Sequence, residues 1–438
     1  WIVLAMVAGL WIGPQGAGAQ QKEPPYPTRQ LNYLICFDPG GQSDRVARLQ
    51  QPHLEIIRYL FSSSEGDVPL DEKTLERAFL LNPFEAHPFL TLRDYFQSIE
   101  RFILDRVDDI AGESNGPLSP DHTDEILIRS EKHGTLSHIA SVEIAGRGSR
   151  RKFAVSSAFS EPKIKALLHE VETIGFLNRT FRYPYLPDIY LAEKVLCSTH
   201  KGTETILMCV SEWMEGYHEW HLEAEEDGKQ SVVIWDTEKG NRTATREESQ
   251  ALFREASKIL TLYYDPNTYR QIYPWHHAAG DFIVKRAGKT ADVRLTTARN
   301  YLPLIFFPKK ADANRVTALV AFLLNMAVQM RLDKLGGVGE PIWAQEEFVS
   351  PCLEGFFSAL RTMKAEGRHD LGEGSDLLTL LKKFSTDELH TLYAPLMDSY
   401  REENPTDFLL VEKNLGGHIM TLWRALQAFD EGGLRGAS

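Results

Sequence analysis

Long uninterrupted apolar runs are scarce in this 438-residue chain, and cysteine is scarcer still. The four cysteines, Cys36, Cys197, Cys209 and Cys352, lie far apart without a C-x-x-C pair, and the last three sit in apolar surroundings. They read as ordinary buried thiols, which suits a reducing compartment. An excess of basic charge is also lacking. The net charge is -13, spread evenly, which excludes a broad electrostatic grip on nucleic acid or an anionic membrane; Arg147 to Lys152 is only a local basic patch. No internal repeat or low-complexity tract occurs. The most apolar long stretch, Val316 to Leu335, is interrupted by Asn325, Gln329, Arg331 and Asp333, so it reads as a central core helix and not a stable membrane span. Within it, Asn325 and Arg331 are candidates to line a cavity, though satisfied core polar residues are the commoner case.

What is present is enough for a sizeable core: 43% of residues are apolar and 10% aromatic, in a length that suits about two or three domains. Trp1 to Ile12 is a short apolar run followed by Pro14 and the small residues Ala17, Gly18 and Ala19. Residues 1–19 therefore read as signal-peptide-like, with a start truncated before Trp1. If that segment is used, the destination is periplasmic; the body, residues 56–438, reads as cytoplasmic.

After it, Leu31 to Phe37 is strand-like, and Pro39-Gly-Gly-Gln-Ser-Asp44 forms a glycine turn into a helix. Free backbone N–H groups there suit an anion. Residues 56–130 carry apolar positions at helical spacing, such as Leu75, Phe79 and Leu80, then Tyr95, Ile99, Phe102, Ile103 and Ile110, and predict a helical segment. Ala111 to His122, rich in Gly, Ser, Asn and Pro, predicts a loop and a boundary. Strands are predicted at His138 to Ile144, Lys152 to Ala158, Asp188 to Cys197 and Glu204 to Trp213, with a helix over Pro162 to Asn178 between the pairs. A hairpin-like segment from Asp227 to Arg242 precedes a helix over Arg246 to Tyr264, opened by the capping pattern Thr245 and Glu248. Asp292 to Thr297 predicts a further strand, and the remainder is helical to Phe429.

Tyr26-Pro-Thr-Arg29, the strand and the glycine turn together resemble the mature N-terminus of tripartite tricarboxylate transporter receptors, which are periplasmic solute-binding proteins. The resemblance runs over residues 26–55 and implies a carboxylate held at Gly40, Gly41, Ser43 and Asp44. Gln30 and Cys36 replace prolines usual in that family.

From Leu136 to Thr297 the order of elements resembles a protein-kinase-like or aminoglycoside-phosphotransferase-like fold. The fold class expected is therefore α+β: a two-lobed body, with a β-rich small lobe at 131–216 and a mostly helical large lobe at 217–438, after a receptor-like fragment at 20–55 and the helical segment. The resemblance implies ATP and Mg²⁺ between the lobes, with phosphates held by a strand lysine paired to a helix glutamate. The helix offers Glu170 or Glu172. The strand has Ser156 and Ser157 where the lysine belongs, and Lys152 comes too early. Ser211 to Gly216 is similar to the hinge, placing Glu212 and Met214 beside a nucleotide.

The stretch QIYPWHHAAGDFIVK, residues 271–285, aligns with the catalytic loop in two registers. In one, His277 to Asp281 stands for His-Gly-Asp and Asp281 is the base. In the other, Asp281 holds Mg²⁺ and His276 occupies the base position. The metal-binding aspartate expected after the next strand is absent, because that strand ends Leu295-Thr296-Thr297. The same loop also reads as a buried turn whose histidines satisfy neighbouring carbonyls. His218, His221, Glu219 and Glu223, joined in space by His276 and His277, are candidate zinc ligands, weighed against an aromatic and histidine packing cluster. Three functions stay open: a degenerate phosphotransferase-like protein binding a nucleotide or other small molecule, a periplasmic carboxylate receptor, and a non-catalytic scaffold. Protein partners are not legible in the residues.

Overall fold

The computed structural model describes residues 56–430 except 63–66, 83–84, 112–122, 134–136, 147, 225–228, 237–238, 276–279, 288–289, 306, 308–313 and 336–339. The chain is α+β. Its first half builds β1 (Ile56–Phe61), β2 (Val68–Pro69), the single turn α1 (Glu72–Leu75), β3 (Ala78–Asn82), β4 (Glu85–Thr91), α2 (Leu92–Ala111), β5 (Glu125–His133), β6 (His138–Gly146), β7 (Ser149–Ala158), α3 (Glu161–Phe181), β8 (Ile189–Thr199) and β9 (Gly202–Glu212).

Seven of these strands make one sheet in the order β2-β1-β5-β6-β7-β9-β8. Strand alternation decides its two faces. Ala140, Val142 and Ile144 of β6, with Phe153 and Val155 of β7, turn to α2 and meet Tyr95, Phe96, Ile99 and Ile103 in one buried cluster. On the opposite face α3 covers one half, where Ile164 and Leu167 pack on Ala158, Leu207 and Cys209. The other half of that face keeps polar side chains, including Arg129, Glu143 and Lys152. β1 joins by pairing parallel to β5, Ile56 opposite Glu125, through the crossover that contains α2.

The helical expectation for 56–130 is therefore corrected: among the described residues α1 and α2 are helical, and the other elements, β1 to β5, are strands. Leu75, Phe79 and Leu80 lie at helical spacing, but Leu75 belongs to α1 and the other two to β3. In the fold Phe79 is fully buried while Leu80 is 45% exposed, the in-and-out pattern of a strand.

The second half contains β10 (His218–Ala224), β11 (Gln230–Trp235), β12 (Arg242–Thr243), α4 (Arg246–Leu262), β13 (Arg270–Ile272), β14 (Phe282–Ala287), β15 (Thr290–Leu295) and β16 (Tyr301–Pro303). A second sheet has the order β12-β11-β10-β14-β15, and β13 pairs with β16 as a separate ribbon. α4 opens with the predicted reciprocal cap, Thr245 Oγ1 accepting from Glu248 N and Glu248 from Thr245 N. α5 (Arg315–Gln329) is buried on every side, as a core helix should be. It stops before Leu335, because Arg331 turns to donate to Ala344 O and β17 (Leu332–Lys334) pairs with β18 (Pro341–Trp343). A 3-10 turn and α6 (Val349–Ala365), α7 (Gly374–Lys382), α8 (Thr386–Glu403) and α9 (Pro405–Ala428) complete the chain. "Mostly helical" thus holds from α5 onward, while 218–303 is largely sheet around α4. Among the described residues, no helix is long and apolar enough to cross a membrane.

Candidate functional site

The β14–β15 hairpin sets Phe282 opposite Leu295, which brings Asp281 alongside Thr296 at the open end. Thr296 N donates to Asp281 O at 2.9 Å, and Thr296 Oγ1 donates to Gly280 O at 2.9 Å. Gly280 has φ +71, and a Cβ on it would lie 2.5 Å from the Glu219 carboxylate, so any other residue would be strained there and would push that carboxylate aside. The Asp281 side chain is buried and chelated by Arg299: Nη1 reaches Oδ2 at 2.6 Å and Nη2 reaches Oδ1 at 2.7 Å. This is the bidentate geometry in which a guanidinium and a carboxylate interact most strongly.

Glu170, on α3, stands beside this pair and accepts a hydrogen bond from Thr297 Oγ1. Burial raises its pKa, the Thr297 hydroxyl and Arg299 oppose that rise, and the nearby Asp281 charge adds to it. Burial alone would lower the pKa of Arg299, but the bonds to Asp281 and the charge of Glu170 raise it. Two carboxylates thus share one guanidinium. Cys209, beneath α3, has its thiol pushed up to about 12 by burial, with Glu170 adding to the shift.

A second group adjoins Gly280. Glu219 of β10 takes Lys132 Nζ at 2.9 and 3.2 Å from the end of β5, and His221 Nε2 at 3.3 Å. Burial would raise the Glu219 pKa, yet His221 and Lys132 hold its carboxyl below the usual range. His221 is buried, its ring 4.3 Å from that of Trp235. Lys132 and Glu219 therefore tie the first sheet to the second.

The fold places Glu170 near Asp281 and separates the other residues singled out in the sequence. Glu172 is exposed, two residues and about 200° around the helix from Glu170. Glu212 instead fastens the end of β9, donating from N to Asp188 O at 2.8 Å and accepting from Asp188 N at 3.4 Å. Met214 is buried, and its carbonyl accepts from Tyr217 N at 3.3 Å in a turn that Lys285 closes by donating to Glu215 O at 2.9 Å. Ser157, at one of the two lysine-equivalent positions, is fully buried. Lys152 Nζ lies 3.9 Å over the Trp213 ring and 3.8 Å from Glu131.

His218 and His221 are three apart on β10, so their side chains leave opposite faces and cannot converge on one ion. His218 instead lies 3.6 Å from Asp236. Among the described residues, no group of three or more His, Cys, Asp or Glu is placed to hold a metal. Both Asp281 oxygens that the Mg²⁺ reading needs are taken by Arg299. His276, His277 and the receptor-like residues Gly40, Gly41, Ser43 and Asp44 lie outside the described residues.

Sequence reasoning missed Arg299 and Thr297. The available signal was the demand that a carboxylate placed directly before an apolar strand find a cation, and Arg299 is the first arginine beyond the paired strand. No protein-family model matches this chain, and no curated protein does.

Proposed function

We propose that this is a kinase-like protein that has lost phosphoryl transfer, its former catalytic carboxylates serving structure. Three features of the chain order support the kinase-like part. β5, β6 and β7 form a meander, α3 crosses over, and β9 and β8 complete that side of the sheet. A short turn at Trp213 to Tyr217 then leads to the second sheet. Finally, the loop carrying Asp281 lies between β13 and the β14–β15 hairpin, and β16 returns to pair with β13.

The observation that carries the loss of chemistry is the chelation of Asp281 by Arg299. A phosphotransferase needs that carboxylate free to hold Mg²⁺ or to orient the acceptor hydroxyl. Here it already holds a guanidinium, Thr297 occupies Glu170, and the strand lysine is missing. The cations on the polar half of the first sheet are likewise taken: Arg129 by Asp67 and Glu143, Arg150 by Glu143, Lys132 by Glu219. A triphosphate would have to displace an acid at each of them.

The test is a thermal melt with and without millimolar Mg²⁺-ATP, alongside an ATP-hydrolysis assay. The expected result is an unchanged midpoint and no hydrolysis. A Mg²⁺-dependent rise in the midpoint that Asp281→Asn removes overturns the reading and restores an active or nucleotide-binding site.

A further inference from the structure

Far from Asp281, the helical part contains a cavity of about 180 Å³ between α5, α6 and α7. Its walls are apolar: Val316 and Leu319 from α5, Leu360 from α6, and Leu371, Leu377 and Leu380 from around α7. Protein cores are close-packed, so a hollow of this size is unusual; the one beside Tyr400 holds only about 20 Å³. A cavity of about 150 Å³ with such walls is large enough to take up a benzene ring.

Chemistry at the rim narrows the ligand. His369 is the polar side chain of the wall, and both its nitrogens are engaged, Nε2 with Leu360 O at 3.0 Å and Nδ1 with Leu371 N at 3.4 Å. It asks nothing of a guest, so the inner part of the site suits a group that makes no hydrogen bonds. The exposed lining residues Gly372, Glu373 and Asp376 mark the mouth. Glu373 is ion-paired with Lys364, whereas the Asp376 carboxylate accepts only from Glu373 N and has no cation beside it among the described residues. An aromatic ring inside would place a short cationic arm at that carboxylate.

We infer that this cavity is a binding site for a small aromatic molecule bearing a protonated amine, an arylalkylamine in chemical class. It is independent of the Asp281 cluster and of the function proposed for it.

The experiment is a titration of the full chain, followed by calorimetry and thermal melting, with phenethylamine, its neutral isostere 2-phenylethanol and the anion phenylacetate. Phenethylamine should bind a few-fold tighter than the alcohol, about the step that one solvent-exposed ion pair gives, and phenylacetate should bind more weakly than either. Asp376→Asn, which can still accept from Glu373 N, should erase the preference for the amine while leaving the alcohol unaffected. Leu380→Trp, at the half-buried edge, takes up a large part of the cavity and should weaken binding of both; Leu371→Trp, also half-buried, does the same if the first variant fails to fold. Absence of binding by the parent, equal affinity for amine and alcohol, or binding undiminished in the filled variant overturns the proposal.

Discussion

His418 of α9 should make the stability of this protein fall steeply below neutral pH. The ring is fully buried, Nε2 meets the Tyr393 hydroxyl at 2.9 Å, Nδ1 has no partner among the described residues, and Arg331 is close by. Burial, and then the Arg331 cation, pull its pKa down to about 3, from 6.5 for an unhindered histidine. Because the folded value is depressed, the unfolded chain binds a proton that the folded chain refuses at every pH between the two. Stability from this group is thus complete above 6.5 and is lost as pH falls below it. Each pH unit well inside that window removes about 1.4 kcal/mol, so between pH 7.5 and pH 5 the loss from His418 is roughly 2 kcal/mol. Urea denaturation of the parent and of His418→Gln at those two pH values isolates the effect, since the other titrating groups cancel in the difference. The variant, less stable at pH 7.5, should lose roughly 2 kcal/mol less than the parent on going to pH 5. Equal losses in both proteins would show that the histidine either stays protonated in the fold or is open to water, and would refute the reasoning.

Arg299→Ala should destabilise by about 3 kcal/mol in urea denaturation, the low end for breaking a buried pair because Arg299 keeps some solvent contact; a change below about 1 kcal/mol contradicts the chelate as a structural element. Gly280→Ala should destabilise by about 2 kcal/mol or more, from the positive φ and the clash with Glu219. Glu219→Ala should recover part of that cost in the double variant, and strict additivity would mean the two positions do not meet. Lys132→Ala, which breaks a half-exposed pair, should cost under about 1 kcal/mol and lose even that in high salt, as measured by melting in 1 M NaCl.

Elements with a strong single period were legible in the sequence, whereas the partner foreseen for Glu170 or Glu172 was a strand lysine and the one found for Glu170 is Thr297. α3 and α4 announced themselves through apolar spacing and, for α4, the Thr245 and Glu248 cap. β6 and β7 were read over His138 to Ile144 and Lys152 to Ala158, within the nine and ten residues they span. The failures occurred where periodicity is short or carries no sign of direction. β3 and β4 are short, separated by two residues, and carry apolar residues at spacings a helix also allows. β10 was taken for a cluster of histidines and acids because its polar side chains masked a strand in which Trp220 and Leu222 turn inward. Arg299 leaves no local pattern, since its partner lies across a hairpin, and only the demand of the Asp281 carboxylate for a cation pointed to it.

The parallel pairing of β1 with β5 sets the order in which the chain can be assembled. The strands β5, β6 and β7 follow one another closely in sequence and can pair early, whereas β1 is synthesised first and must wait for β5, several seconds of translation later, before its backbone groups find partners. Until then β5 presents an open edge flanked by Ile126 and Ile128, the kind of edge to which another nascent chain can add. Six residues at Ile56–Phe61 therefore act as the seal of the larger sheet, and a chain trimmed only a little past them would be expected to associate with itself while its other elements remained intact.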